Sequence, residues 1–287
     1  MKDRLLIVSF GTADAGGLGE IAAVEQALAA RANLPWARAF SSEAVRRILH
    51  RRGVDVPSPA EALREAAAGG AQRVWVQPTH IAAGADYAAV CGAVQDAAPH
   101  FAHIAAGRPL LADECSAGEL ARILCEAYPS QPGEAALFLL HGTAGRTAGA
   151  ALWMQRALQV RGSGNVVACL RGEPGFDAAA RRLLACGARR VRLVPLMLCA
   201  GSHARGDMAG PGPDSWASRL ARAGFSVQCT LRGLGALAPV QALYARRLDA
   251  LLGRAPAGEP EGSPAQILSK IHAARIADGA EFWHNIE

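Results

Sequence analysis

The chain lacks the features that mark several common classes of protein. Aromatic residues make up only 5% of its 287 residues, and its basic residues stand in short pairs rather than in one block. Nucleic-acid-binding proteins typically carry basic clusters on one face or along one helix, so we expect no nucleic acid partner. The formal net charge of +5 instead suits an acidic small molecule.

The cysteines and the N-terminus show no sign of export. The seven cysteines are scattered, and no two are spaced as C-x-x-C. Such a set favours reduced thiols in the cytoplasm. The first apolar run, Leu5 to Phe10, is too short for a signal peptide or a membrane span. We predict a cytoplasmic protein with no membrane partner, and we leave a homo-oligomer open.

Three catalytic or nucleotide-binding motifs are also missing. The sequence contains no G-x-S-x-G motif, which argues against a serine hydrolase. It has no G-x-x-x-x-G-K-[ST] loop, so ATP is not implied. The glycines in residues 16–19 do not have G-x-G-x-x-G spacing. We therefore expect no nucleotide cofactor.

What the sequence does contain is an alternation of strands and helices. Leu5 to Val8 is a continuous apolar run, as expected for a parallel strand covered on both faces. A helix with Ile21, Val24 and Leu28 on one face follows it. Ser58 opens another helix as a capping box with Pro59 at the first helical position. The pattern predicts an α/β fold.

The second half of the sequence repeats the plan of the first. The run ending at His141 echoes the run ending at Thr12, and the predicted strand over 190–195 echoes the one over 73–78. We predict two similar flavodoxin-like, parallel-sheet α/β domains related by internal duplication, over residues 1–130 and 131–254. Residues 255–287 would be a linker and a short helical tail. Two such halves would form a cleft between their strand ends.

Two histidines are the main candidates for chemistry. His141 directly follows the apolar run 135–140, and His203 follows a second apolar run, 191–199. The carboxyl ends of parallel strands form the ligand-binding edge of an open sheet. Neutral imidazole binds divalent ions such as Co²⁺, Ni²⁺, Fe²⁺ or Zn²⁺. We expect His141 and His203 to bind a metal in an open site. His80, in the corresponding segment of the first half, would face the same cleft or lie in the core.

Several longer motifs resemble the anaerobic-type sirohydrochlorin cobaltochelatase family of class II chelatases. They are residues 8–12, 38–42, 77–81, 141–143, 195–210, 214–216 and 233–235, and the resemblance spans about residues 4–253. It implies two chelatase-like α/β halves around a cyclic tetrapyrrole and insertion of Co²⁺, as a substrate metal, without ATP. It also implies that His141 is the base and a metal ligand and that His203 is the second ligand.

The sequence departs from the family pattern at the third ligand. The family places a glutamate where this chain has Arg171, and Glu173 follows two residues later. Residues two apart on a strand share a face, so we predict that Glu173 replaces the missing ligand. The tetrapyrrole carboxylates would be bound by arginines, for which the candidates are Arg38, Arg146, Arg171 and Arg205. His80 would add to the substrate site.

Two functions remain open from the sequence. The first is a chelatase that inserts Co²⁺, or on the same fold Fe²⁺ or Ni²⁺. The second is a tetrapyrrole- or metal-binding protein without turnover, which the cationic Arg171 at the ligand position would favour.

Overall fold

The structure is a computed structural model, and it describes residues 2–142 and 148–254. The predicted tail over 255–287, and Arg146 with it, lie outside the described residues. Residues 1–254 form one compact unit. The domain boundary near residue 130 therefore stays a prediction.

The first half contains four parallel strands and five α-helices, which alternate except that two helices lie between the second and third strands. The strands are β1 (Asp3–Ser9), β2 (Trp36–Phe40), β3 (Arg73–Pro78) and β4 (His103–Ala106). The helices are α1 (Ala15–Ala32), α2 (Glu43–His50), α3 (Pro59–Ala68), α4 (Ala85–Ala97) and α5 (Glu114–Ala127). The strands are ordered β2-β1-β3-β4.

The second half, among the described residues, also contains four parallel strands. They are β5 (Glu134–Leu140), β6 (Val166–Cys169), β7 (Arg190–Pro195) and β8 (Ser226–Cys229), ordered β6-β5-β7-β8. The helices are α6 (Ala148–Val160), α7 (Phe176–Ala185), α8 (Trp216–Arg222) and α9 (Ala238–Leu251). The same strand order in both sheets confirms the predicted pair of similar α/β units.

Local sequence signals explain where the helices begin. The Asp14 carboxylate accepts the Gly17 N–H at 2.9 Å and caps α1. Ser58 and Glu61 form the predicted capping box of α3, with Glu61 accepting the Ser58 N–H at 2.7 Å. The helices pack on the sheets and on one another. Among the described residues, none is long and apolar enough to cross a membrane.

The two halves share one core because helices cross between them. Helix α5 packs against α6, and α9 packs against α1 of the first half. Tyr244 of α9 is fully buried and donates its hydroxyl to the Thr79 carbonyl at 2.7 Å. Asp249 binds Arg31 of α1 through both carboxylate oxygens. Helix α9 therefore belongs to the second half in sequence but covers α1 of the first half.

The predicted strand 190–195 is present as β7, but the predicted position of His203 at a strand end is corrected. The apolar run 191–199 continues past β7, which ends at Pro195. Leu196 and Leu198 are buried in the core that joins the two halves, rather than in the ladder of the sheet. His203 therefore lies beyond a loop, directly before a π-helical turn over Ala204–Met208, and not at a strand end.

Candidate functional site

A cavity of about 640 Å³ opens between the carboxyl ends of the two sheets. The first half contributes the segments after β1 and β3 together with parts of α1, α2 and α4. The second half contributes the end of β5 and the segment 196–205. Most of the lining is apolar, and His80, His141 and His203 all belong to it. The predicted cleft between strand ends is present.

The two predicted metal ligands lie side by side in this cavity. The ring centroids of His141 and His203 are 4.4 Å apart, and the ring planes are inclined at 68° to each other. Nε2 of His141 is buried and has no hydrogen-bond partner among the described residues. Buried polar atoms are almost always paired. An unpaired ring nitrogen beside a second imidazole is therefore well suited to a metal ion.

The charge state of His141 favours metal binding. Burial lowers the pKa of His141, and the neighbouring His203 and Arg171 lower this pKa further. The imidazole is thus held neutral near pH 7, with a lone pair free to bind an ion or accept a proton.

His203 is oriented by a carboxylate that the sequence interpretation did not assign. Nδ1 of His203 lies 2.8 Å from Oδ2 of Asp207, one helical turn later along the chain. A carboxylate on one ring nitrogen fixes the tautomer and leaves the other nitrogen for a metal. The spacing of four residues was the available signal.

The glycine after His141 is required by close packing. Gly142 has φ +74°, and a β-carbon there would overlap the carbonyl oxygen of Arg171. The Arg171 N–H in turn donates to the His141 carbonyl at 3.2 Å. The backbone of Arg171 is therefore fixed against His141. Its guanidinium lies 3.8 Å from the Asp207 carboxylate.

Glu173 does not join the histidine pair. Strand β6 ends at Cys169, so Arg171 and Glu173 lie in a loop and the two-residue strand spacing does not apply. Glu173 is exposed, and its carboxylate accepts the Gly175 N–H at 2.9 Å. No group of three or more His, Cys, Asp or Glu side chains suited to a metal occurs in the described ranges. The three-ligand set is thus not assembled there.

The predicted substrate arginines differ in position. Arg205 lines the cavity and forms an ion pair with Asp14 of the first half at 3.2 Å. Arg38 does not line the cavity, because both its Nε and its Nη2 donate to the buried Glu25 carboxylate. We therefore withdraw Arg38 as a substrate ligand. Arg52, which the sequence interpretation missed, lines the cavity and donates to the Ala13 carbonyl at 2.6 Å.

His80 is part of the cavity wall and almost fully buried. Its Nε2 lies 3.1 Å from the Ser41 hydroxyl, and its ring packs edge-on to Tyr87. Burial lowers the pKa of His80 to about 4. The side chain is therefore neutral at physiological pH and can offer hydrogen bonds but no charge to a ligand.

Two further lining residues were not assigned from the sequence. Phe10 is 39% exposed, and its ring centroid lies 6.4 Å from that of His141. Asp86, in the first turn of α4, raises the pKa of His141 slightly against the larger effect of burial. An open aromatic face and a carboxylate therefore lie near the histidine pair.

Comparison with known proteins gives one consistent family. The family model described as "Cobalt chelatase (CbiK)" matches residues 3–252. The sirohydrochlorin cobaltochelatase of Salmonella typhimurium is 33% identical over 259 residues, which cover 89% of this chain and 98% of that protein. Sirohydrochlorin cobaltochelatase CbiKC of Nitratidesulfovibrio vulgaris is 30% identical over 238 residues, 81% of this chain and 84% of that protein.

The solved structures agree on the fold. SirB of Bacillus subtilis, a sirohydrochlorin chelatase solved in complex with cobalt, has a TM-score of 0.56 and 14% identity. That alignment covers 92% of this chain and 98% of SirB. The family model spans both sheets and the histidine pair described above, and on the grounds of this match and of the two relatives the chain belongs to the cobalt chelatase family.

Proposed function

We propose that this protein inserts Co²⁺ into sirohydrochlorin, with no nucleotide. The observation that carries the proposal is the pair of imidazoles, His141 and His203, at the open edge of an apolar cavity between two sheets. The printed names of the two relatives give the substrate and the metal. A cytoplasmic location and the absence of a nucleic acid partner remain part of the proposal.

The reaction needs a group that can release a metal and accept protons. Two pyrrole N–H protons must leave the macrocycle as the ion enters it. A neutral histidine can bind the ion first and accept a proton after the ion has left. His141 has the lowered pKa that keeps it neutral beforehand. His203, held through Nδ1 by Asp207, presents Nε2 as the second ligand.

The cavity suits a planar, carboxylated macrocycle. Its apolar walls, including Phe10 beside His141, would pack on the faces of the ring. Arg52 and Arg205 lie in the lining and would bind carboxylates at the ring edge. Arg171, exposed next to the histidine pair, is a third cation within reach, and His80 would add an uncharged hydrogen bond.

A direct assay tests this function. The protein is incubated under anaerobic conditions with sirohydrochlorin and, in turn, Co²⁺, Fe²⁺ or Ni²⁺, without ATP, and absorbance is followed. We expect insertion to be fastest with Co²⁺ and to be lost in His141→Ala, whose tetrapyrrole binding should persist. Normal turnover by His141→Ala would refute its role as the base.

The same assay addresses the second candidate function. Arg171 places a positive charge next to the histidine pair, which is the observation that favours a binding protein without turnover. A wild-type protein that binds sirohydrochlorin tightly but inserts none of the three metals, while Arg171→Glu does insert Co²⁺, would establish that alternative.

A further inference from the structure

Glu20, a residue of α1 in the first half, reaches the loop that carries His203 in the second half. Its Oε2 accepts the Ala200 N–H at 2.7 Å, and its Oε1 accepts the Gly233 N–H at 2.8 Å. Ala200 lies three residues before His203. One carboxylate thus binds two loop segments that the chain separates by more than thirty residues.

These two segments, residues 197–201 and 233–235, pack directly against each other and form one layer. The Leu234 N–H donates to the Met197 carbonyl and the Gly235 N–H to the Leu198 carbonyl, both at 2.8 Å. A β-carbon on Gly233 would overlap the Cα of Cys199, and one on Gly235 would lie 2.6 Å from the Glu20 carbonyl oxygen. The backbones therefore approach too closely for side chains, and the layer rests directly on α1.

The layer also contacts the first half close to His203, through Gly201. A β-carbon on Gly201 would lie 2.9 Å from Oγ1 of Thr12, so this segment lies directly against the end of β1. The Gly201 carbonyl accepts the Arg205 backbone N–H at 3.1 Å, which closes a helical turn around His203 directly before the π-helical turn over Ala204–Met208. Fixing Ala200 and Gly201 consequently fixes the start of the turn that holds both His203 and Asp207.

The charge of Glu20 is directed at the backbone and not at a cation. No arginine, lysine or histidine forms an ion pair with Glu20 in the part of the chain that the structure describes. Hydrogen bonds from backbone N–H groups to a carboxylate are short and strong. We infer that Glu20 is a positioning residue that holds His203 at metal-binding distance from His141, acting through the loop 196–203.

This inference rests on the proposed function only in that the histidine pair receives the metal. Co²⁺ binding by the purified full chain, without tetrapyrrole, tests it directly, with Glu20→Gln and Glu20→Ala as variants. Glutamine keeps one acceptor oxygen but turns an amino group toward a backbone donor, and alanine removes both acceptors. We expect Co²⁺ affinity to fall in the order wild type, Gln, Ala, by about tenfold in total.

Repeating the Glu20 substitution in a His203→Ala variant separates an effect on the position of His203 from a general effect on stability. In His203→Ala, Glu20→Ala should cause no further loss of Co²⁺ affinity, because the residue that it positions is gone. Glu61→Ala serves as the matched control, since Glu61 also accepts a backbone N–H but lies in the distant capping box of α3. It should lower stability without changing Co²⁺ affinity.

Three results would overturn the inference. They are wild-type Co²⁺ affinity in Glu20→Ala, an equal loss in the His203→Ala background, or an equal loss in Glu61→Ala. If Glu20→Ala does not fold, the Gln variant decides by the same criteria. A wild-type protein that binds Co²⁺ but inserts none would refute the proposed function and leave this test intact.

Discussion

At the scale of single residues, the carboxylate behind His203 should matter as much as a ligand. Asp207→Asn keeps the shape and one acceptor but removes the charge that stabilises the Nδ1–H tautomer. We expect Co²⁺ affinity, measured by calorimetry, to fall by about 10- to 100-fold. Asp177→Asn changes an exposed carboxylate in the first turn of α7 and should leave the affinity unchanged. Equal affinities in all three proteins would contradict the tautomer argument.

Arg171 and Glu173 should have separable roles. Among the described residues, the Glu173 carboxylate accepts its hydrogen bond from the Gly175 N–H and not from the histidine pair, so Glu173→Ala should not change Co²⁺ affinity. Arg171→Ala removes a positive charge that lowers the pKa of His141. It should strengthen Co²⁺ binding by about two- to threefold, a small effect because the guanidinium is exposed. If Arg171 binds a substrate carboxylate, the same variant should raise the KM for sirohydrochlorin. A large loss of metal affinity in Glu173→Ala would restore it as a ligand.

His80 should make the protein sensitive to mild acid. Its pKa is about 4 in the folded protein, against about 6.5 in an unfolded chain. The unfolded state therefore binds more protons between these values, so stability is complete above pH 6.5 and falls as the pH drops toward 4. Between pH 7.5 and 5 the contribution is about 2 kcal/mol. Urea unfolding at both pH values gives the free energy of unfolding that is lost between pH 7.5 and pH 5. This loss should be smaller in His80→Gln than in the wild type, whereas His100→Gln, a change at an exposed site, should lose as much as the wild type.

At the scale of elements, the turn from β5 into the site depends on Gly142. Gly142→Ala forces a left-handed conformation and an overlap with the Arg171 carbonyl, displacing His141. Gly187 has nearly the same φ, +73°, but open space around it, so Gly187→Ala isolates the backbone cost. That cost is about 1–2 kcal/mol. We expect thermal unfolding to show a larger loss for Gly142→Ala, and turnover to fall only in that variant.

The elements also show how far the sequence alone can go. Strands β3 and β7, the capping box of α3 and the position of His141 followed from local patterns, and the structure has them. The loop before His203 did not, because Leu196 and Leu198 are as apolar as strand residues but are buried between the halves. Apolar runs report burial and not the kind of element that is buried.

The errors in assigning the charged residues have the same physical cause. Arg38 looked available because its partner Glu25 is thirteen residues earlier, on a different element, and is buried only by tertiary packing. Glu20 and Asp207 were missed because what they bind is set by the fold, although the four-residue spacing of Asp207 from His203 was visible. Local sequence identifies groups that can do chemistry, but long-range contacts decide which of them are free.

At the scale of the whole molecule, α9 of the second half should stabilise the cavity wall of the first half. Tyr244→Phe removes the hydrogen bond to the Thr79 carbonyl, next to His80 in the cavity wall. Leaving a buried acceptor without its donor costs about 1–3 kcal/mol. Tyr128→Phe is the control: it also removes a hydroxyl from a buried tyrosine, but this hydroxyl has no hydrogen-bond partner among the described residues. Chemical denaturation should show the larger loss for Tyr244→Phe, and equal losses would show that this bond contributes nothing.

The return of α9 to α1 also sets an order of events during synthesis. Leu243, Tyr244 and Leu248 belong to the same buried cluster as Val24 and Leu28 of α1. Chains are made from the N-terminus, and N-terminal units generally fold first. Here the ribosome must release residue 251 before the first half can cover its own helix. The apolar residues of α1 that α9 covers therefore stay without that cover in the nascent first half until α9 has been made, and the core of the first half is complete only when the second half has folded onto it.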